Sequence, residues 1–290
     1  MGEPKLLKGS AMAQAIREVV VREVDALKAK AIHPTLAFVY PDGDGGAISY
    51  AESQSRSCGK VGIGYRACPL ENPTQVTLLE TIRVLKEDPE VTGILLHQPW
   101  PKTVDELAAR LRIGASHDVE GMDPAALGLL ALGAPAQVPC TAAAALEMLK
   151  ASGAPLAGRD LVIVGRSPAV GRALALLLLK DRQAPTITIC HTATADLAAH
   201  TRRADLLVVA AGSAGLVTGD MVKDGVVVVD VGTNVIAAPD GTDTLTGDVD
   251  FASVAARAAA ITPVPGGVGP VTAALLLRNV VICARQLLLD

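Results

Sequence analysis

Short valine- and leucine-rich runs alternate with segments of helical periodicity throughout the 290 residues, which predicts an α/β fold long enough for two domains. The most informative stretch is Leu161–Gly171, Leu-Val-Ile-Val-Gly-Arg-Ser-Pro-Ala-Val-Gly, followed by an apolar run to Leu179. It reads as strand, glycine turn and helix, the opening unit of a Rossmann-type dinucleotide-binding domain. Gly165 permits the sharp turn, Pro168 pre-sets the first helical φ, and free amides at the helix start suit a pyrophosphate. The middle glycine of G-x-G-x-x-G is absent, so an ordinary strand-to-helix turn remains open as a reading of these residues alone.

Composition narrows the function classes. Half the residues are hydrophobic, 19% are charged and only 2% are aromatic, which favours helices packed on aliphatic strands and argues against base-stacking surfaces. A formal charge of −4 gives no basic footprint, so no nucleic-acid partner is expected. The apolar run Ala173–Leu179 is far short of a membrane span, and the opening residues show no long apolar leader. Leu6 stands where a myristoylation signal wants Ser or Thr. A cytoplasmic protein without a membrane partner is expected. Cys58, Cys68, Cys140, Cys190 and Cys283 form no C-x-x-C pair and read as reduced structural thiols, and no metal site is expected.

Taken in order, residues 11–30 place Ala11, Ala15, Ile16, Val19, Val20, Val24 and Leu27 at helical spacing. A strand at Leu36–Tyr40 leads into a glycine-rich irregular loop, and a helix from about Ile48 to Lys60 sets Tyr50, Gln54 and Ser57 on one face, with Gly62 closing it. Cys68 starts no recognisable element. Thr74–Lys86 reads as a helix and Val91–Leu96 as a strand running into His97-Gln98-Pro99. Ligands then belong at the strand carboxyl ends, 40–46, 97–101 and 117–124. The last of these puts His117, Asp118, Glu120 and Asp123 in one loop, for which solvated charge is the simplest explanation. An alanine-rich helix follows Pro139-Cys140-Thr141. After the Leu161 unit, Thr186–Cys190 ends in His191-Thr192-Ala193-Thr194 without the acidic residue that grips an NAD ribose. Leu206–Ala210 and Val226–Val231 read as buried parallel strands, 261–270 as a glycine-rich loop, and Val271–Leu289 as a terminal helix. The division expected is 1–139 for the first domain, 140–270 for the dinucleotide-binding domain, and 271–290 for a helix returning to the first.

Several of these segments together resemble the bifunctional methylenetetrahydrofolate dehydrogenase/methenyltetrahydrofolate cyclohydrolase family. They are Gly93-Ile-Leu-Leu, Asp118-Val-Glu-Gly121, Val138-Pro-Cys-Thr141, Val164-Gly-Arg-Ser167, Asp230-Val-Gly232, Gly247-Asp-Val-Asp-Phe251 and Thr262-Pro-Val-Pro-Gly-Gly-Val-Gly-Pro270. The resemblance spans nearly the whole chain. It implies an N-terminal α/β substrate domain and a Rossmann-type domain flanking a cleft, a homodimer, a folate-type substrate, and NADP-linked oxidation of a folate-borne methylene, with NAD as the lesser option. It further implies substrate contacts from Tyr50, His97, Gln98, Glu120, Pro265, Gly266 and Gly267. Cofactor contacts are implied for Thr141, Gly165, Arg166, Ser167, Gly171, Thr192 and Thr233.

The departures from the family pattern fall on its chemistry. The family carries Tyr-x-x-x-Lys with the lysine as acid/base; Tyr50 is present, but Gln54 stands at the lysine position. His97 replaces the glutamine that positions that lysine, and Glu120 replaces a pterin-binding aspartate. Tyr50, Gln54 and His97 are therefore the catalytic candidates. Hydride transfer draws its difficult chemistry from the cofactor, whereas hydrolysis of a methenyl group needs proton transfers that an amide cannot perform. The expected activity is the dehydrogenase with cyclohydrolase weak or absent. Two other readings stay open here: an enzyme of specialised metabolism using His97 on a related substrate, and a non-catalytic folate or nucleotide binder.

Overall fold

The computed structural model describes residues 3–134, 137–237 and 243–286. Its elements in chain order are β1 (Lys5–Leu6), α1 (Ser10–Lys28), β2 (Thr35–Pro41), α2 (Gly45–Val61), β3 (Gly64–Leu70), α3 (Gln75–Glu87), β4 (Gly93–Leu96), α4 (Glu106–Ile113), α5 (Pro124–Ala131) and α6 (Cys140–Ala151). There follow β5 (Asp160–Val164), α7 (Ala173–Leu179), β6 (Thr186–Cys190), α8 (Leu197–Thr201), β7 (Leu206–Val209), β8 (Val227–Asp230), β9 (Asn234–Ala237), β10 (Asp243–Thr246), α9 (Phe251–Ala255), β11 (Ala260–Ile261) and α10 (Val268–Gln286). The expected end of the terminal helix, Leu289, lies outside the described residues.

The chain divides into two compact units. One gathers Gln14–Leu129 with the segment from Ala274 onward; the other gathers the N-terminal segment up to Ala13 with Leu130–Ala273. This differs from the expected 1–139 division because β1 pairs in parallel with β11, Lys5 opposite Ala260, and so belongs to the second unit's sheet.

In the first unit β3, β2 and β4 form a parallel sheet in that order. Ala37 and Val39 of β2 pack with Ile94 and Leu96 of β4 against Leu78, Ile82 and Leu85 of α3, a period of two on the sheet meeting a helical stripe. The sequence reading missed β3. Its Gly-Tyr-Arg-Ala-Cys-Pro-Leu sequence carries Pro and lacks β-branched residues, which an edge strand tolerates. Helix α2 starts at Gly45, not near Ile48, because Asp44 caps it: its Oδ1 accepts from the Gly46 N–H at 2.8 Å and the Ala47 N–H at 3.0 Å. The two glycines expected in an irregular loop are its first turn. Helices α4 and α5, also unforeseen, are capped by Asp105 and Asp123 in the same way.

In the second unit six parallel strands run β1-β11-β8-β7-β5-β6. Val162, Val164, Leu207, Val209, Val228 and Ile261 form one side's core with Val217, Val222 and Val254. A π-type turn, Pro168–Arg172, connects β5 to α7, with Pro168 at the first position as its fixed φ favours. Strands β9 and β10 form a separate antiparallel hairpin. The glycine-rich stretch expected as a loop to Pro270 turns helical at Val268. Helix α10 is long and apolar enough by composition to cross a membrane, but 61% of its apolar window is buried inside the fold.

Candidate functional site

Parallel α/β sheets bind ligands where consecutive connections leave to opposite sides, at the strand carboxyl ends. Each sheet here has one such point. In the second unit it lies between β5 and β7, since the chain passes from β5 outward to β6 and returns to β7 on the other flank. A cleft of about 470 Å³ opens there, lined by Gly165, Arg166, Ser167, His191, Thr192, Thr194, Leu197, Ala210, Ala211 and Ser213 among others. Four of the seven residues expected to touch a cofactor are thus placed at or beside one cavity: Gly165, Arg166 and Ser167 from the β5 turn, and Thr192 from the end of β6.

The glycines are there because nothing larger fits. Gly165 has φ +119°, and a Cβ on it would lie 2.1 Å from the Ala210 carbonyl oxygen. Gly171 is buried, and a Cβ there would meet the Gly165 carbonyl oxygen at 2.0 Å; it lets the turn close on itself and does not line the cleft. Thr141 sits in the first turn of α6 and Thr233 is exposed after β8, both outside the residues lining the cavity. Among the described residues no carboxylate lines the cleft, and Arg166 stands exposed at its rim.

The loop Ala211–Ser213 that walls this cleft is held by a residue to which the sequence reading gave no role. Asp248 is fully buried; its Oδ2 accepts from the Ala211 N–H at 2.6 Å and the Gly212 N–H at 2.9 Å, and its Oδ1 from the Ser213 N–H and the Asn234 side-chain amide, each at 2.8 Å. Asp230 at the end of β8 in turn accepts from the backbone of Gly232, Asp248 and Val249. Burial pushes the Asp230 carboxyl up to about 6. Gly247 is required between them, because a Cβ would overlap the Asp230 carboxylate. Pro265, Gly266 and Gly267 belong to this unit, where the Gly266 carbonyl accepts from the Gly9 N–H at 2.9 Å.

In the first unit the corresponding point lies between β2 and β4. There Phe38, Tyr50 and His97 meet: the Phe38 and Tyr50 rings are edge-to-face at 5.5 Å, Phe38 and His97 at 5.9 Å, and Tyr50 and His97 are tilted at 6.4 Å. His97 is half-buried, its backbone N–H donating to the Val39 carbonyl at 2.9 Å. Burial holds its imidazole below the ordinary 6.5, opposed by the Asp44 carboxylate. Gln54 lies one turn on from Tyr50 but is only 2% exposed, and its Oε1 is buried without a hydrogen-bond partner. Tyr50 is 41% exposed. The two share an i, i+4 face yet occupy different depths.

The 117–124 loop is not solvated charge. His117, Asp118 and Asp123 are buried, and both Asp118 oxygens accept backbone N–H groups from Glu120, Gly121, Met122 and Asp123. Gly93 makes room for this loop, since a Cβ on it would lie 2.4 Å from Val119. The Asn279 amide of α10 donates to the Val119 carbonyl at 2.9 Å. Glu120 pairs with Arg110 of α4 at 3.2 Å, a partner that sequence spacing alone did not reveal. Gln98 is exposed and donates to Glu106 of α4 at 2.7 Å.

Two parallel α/β units, one with a glycine-cradled dinucleotide cleft and the other with a polar cluster at its own switch point, define a nucleotide-linked two-domain class. The family model for the tetrahydrofolate dehydrogenase/cyclohydrolase catalytic domain matches residues 7–120, and that for the NAD(P)-binding domain matches residues 139–288. The bifunctional protein FolD 1 of Rubrobacter xylanophilus is 46% identical over 283 residues, 97% of each chain. The bifunctional FolD of Campylobacter jejuni superposes with a TM-score of 0.90 at 40% identity, covering 97% of this chain and 99% of that one. The Trypanosoma brucei methylenetetrahydrofolate dehydrogenase-cyclohydrolase, solved with NADP and an inhibitor, superposes at 0.94 with 34% identity and full coverage of both chains. The chain belongs to the tetrahydrofolate dehydrogenase/cyclohydrolase family.

Proposed function

We propose that this protein oxidises 5,10-methylenetetrahydrofolate to 5,10-methenyltetrahydrofolate with NADP, and that its cyclohydrolase step is weak or absent. The observation that carries the cofactor half is the cleft between β5 and β7: a glycine cradle that any Cβ would fill, a cationic rim at Arg166, hydroxyls at Ser167 and Thr192, and no carboxylate to repel a 2′-phosphate. These residues fit an NADP adenosine end. The cofactor held there would supply the hydride acceptor for the reaction.

The chain's own residues then bind and orient. Glu120 offers a carboxylate to an amino-pyrimidine edge, and the exposed Tyr50 ring and the half-buried His97 imidazole, 6.4 Å apart, offer a second substrate surface. Gln54 supports the weak cyclohydrolase. Its buried Oε1, which has no hydrogen-bond partner within the fold, is able to accept a hydrogen bond from a ligand but releases and takes up no proton near neutrality, whereas hydrolysis needs a group that does both. A homodimer and a cytoplasmic setting accompany this reading.

The test is an anaerobic assay following reduced nicotinamide from methylenetetrahydrofolate with NADP and NAD in parallel. Faster turnover at lower cofactor concentration with NADP supports the proposal; no reduction of either cofactor overturns it.

A further inference from the structure

Glu120 is not a lone carboxylate in its loop. Arg110, four residues along α4 from Glu106, turns its guanidinium onto the Glu120 side chain at 3.2 Å, and only 11% of the Arg110 side chain and 27% of that of Glu120 remain exposed. An arginine this covered, with its Nη1 donating to one carboxylate oxygen, favours one direction and the ionised form of its partner. The other ionisable groups facing Glu120 are both carboxylic: Glu106 on α4, which is itself tied to the Gln98 amide at 2.7 Å, and Asp118 two residues earlier. Asp118 is engaged by four backbone N–H groups of the same turn and keeps the Glu120 backbone in place through one of them. Arg110 is therefore the cation that balances Glu120 against burial and two like charges.

We propose that Arg110 is a positioning residue for substrate binding, holding the Glu120 carboxylate ionised and aimed so that it accepts hydrogen bonds from the amino-pyrimidine edge of a folate. The inference rests on the reading of Glu120 as a substrate contact. Burial and the neighbouring carboxylates push the Glu120 carboxyl up to about 7 even with Arg110 present. Loss of the guanidinium moves it higher. A binder that needs the ionised form then loses affinity at neutral pH and regains it in alkali, which a purely structural role for Arg110 does not produce.

The experiment measures the dissociation constant for tetrahydrofolate by anaerobic calorimetry from pH 6 to 9, with NADP binding as the control for an intact fold. The proteins are the unmodified chain, Arg110→Met, which keeps most of the aliphatic stem, Arg110→Lys and Glu120→Gln. Expected are an acid-side loss of affinity centred near pH 7 for the unmodified chain, a shift of that midpoint upward by about one pH unit or more in Arg110→Met, and partial return in Arg110→Lys. Weakened binding in Arg110→Met that is equal at every pH, or no weakening, overturns the role of Arg110. Unchanged tetrahydrofolate binding in Glu120→Gln instead overturns the reading of Glu120 beneath it, so the two failures are separately visible.

Discussion

Asp248→Asn tests how the cofactor cleft is built. The carboxylate accepts two N–H groups on each oxygen, Ala211 and Gly212 on one and Ser213 and the Asn234 amide on the other. An asparagine keeps one oxygen and turns a donor NH₂ toward the other pair. The less costly orientation faces Asn234, whose own amide flips to present its oxygen, but the Ser213 N–H is still left opposite a donor. One unsatisfied donor costs about 1–3 kcal/mol, and two further bonds lose their charge assistance, so a total of about 2–5 kcal/mol is expected. With a urea dependence near the upper end of the usual range for a chain of this size, about 3 kcal/mol per molar, the midpoint falls by about 0.7–1.7 M. Because Ala211 and Ser213 wall the cleft, NADP binding weakens while tetrahydrofolate binding does not. The assay is urea unfolding by circular dichroism, then calorimetry with each ligand. An unchanged midpoint together with unchanged NADP affinity refutes the argument that Asp248 holds that wall.

Three further outcomes follow from the same geometry. Arg166→Ala weakens NADP by about 10–100-fold, the worth of a charged hydrogen bond to a phosphate, and leaves NAD nearly unaffected; equal losses in fluorescence titrations with both cofactors remove Arg166 from 2′-phosphate recognition. His97 titrates below 6.5 by imidazole NMR, and Asp44→Asn, which still caps α2, lowers it further by deleting the opposing carboxylate; an upward move contradicts the assignment. The same depression means that the unfolded chain takes a proton the folded one refuses, so His97 withdraws stability as pH falls below about 6.5 toward its folded value. Gln54→Lys raises enzyme-dependent methenyltetrahydrofolate hydrolysis by about 10²-fold or more, with His97→Gln harmless alone and helpful beside it; if His97→Gln abolishes hydrolysis that the unmodified chain already performs, His97 carries the proton.

What the sequence made legible was governed by local rules. The continuous valine-rich runs of β5, β7 and β8 announce buried parallel strands, and Gly165 announces a turn that a Cβ would block. Elements set by tertiary context were not legible. Strand β3 is accepted as an edge despite Pro69, and β1 and β11 are two-residue strands that exist because a sheet edge is there to receive them. The start of α2 was hidden because two glycines masked a cap that Asp44 supplies. In the 117–124 loop, burial reversed the expectation of solvated charge: the four N–H groups on Asp118 and the guanidinium on Glu120 come from chain geometry and from α4, neither of which a residue pattern encodes. Asp248 was visible as part of a motif, but its role depends on backbone amides more than thirty residues away.

The central claim is that one activity survives where the family has two, because the buried side chain at position 54 is an amide. The most direct measurement follows reduced nicotinamide and methenyltetrahydrofolate together in one anaerobic reaction started from methylenetetrahydrofolate and NADP. The account predicts that methenyltetrahydrofolate accumulates in step with reduced NADP and then decays at the rate seen without protein. Decay that accelerates in proportion to protein concentration would contradict it.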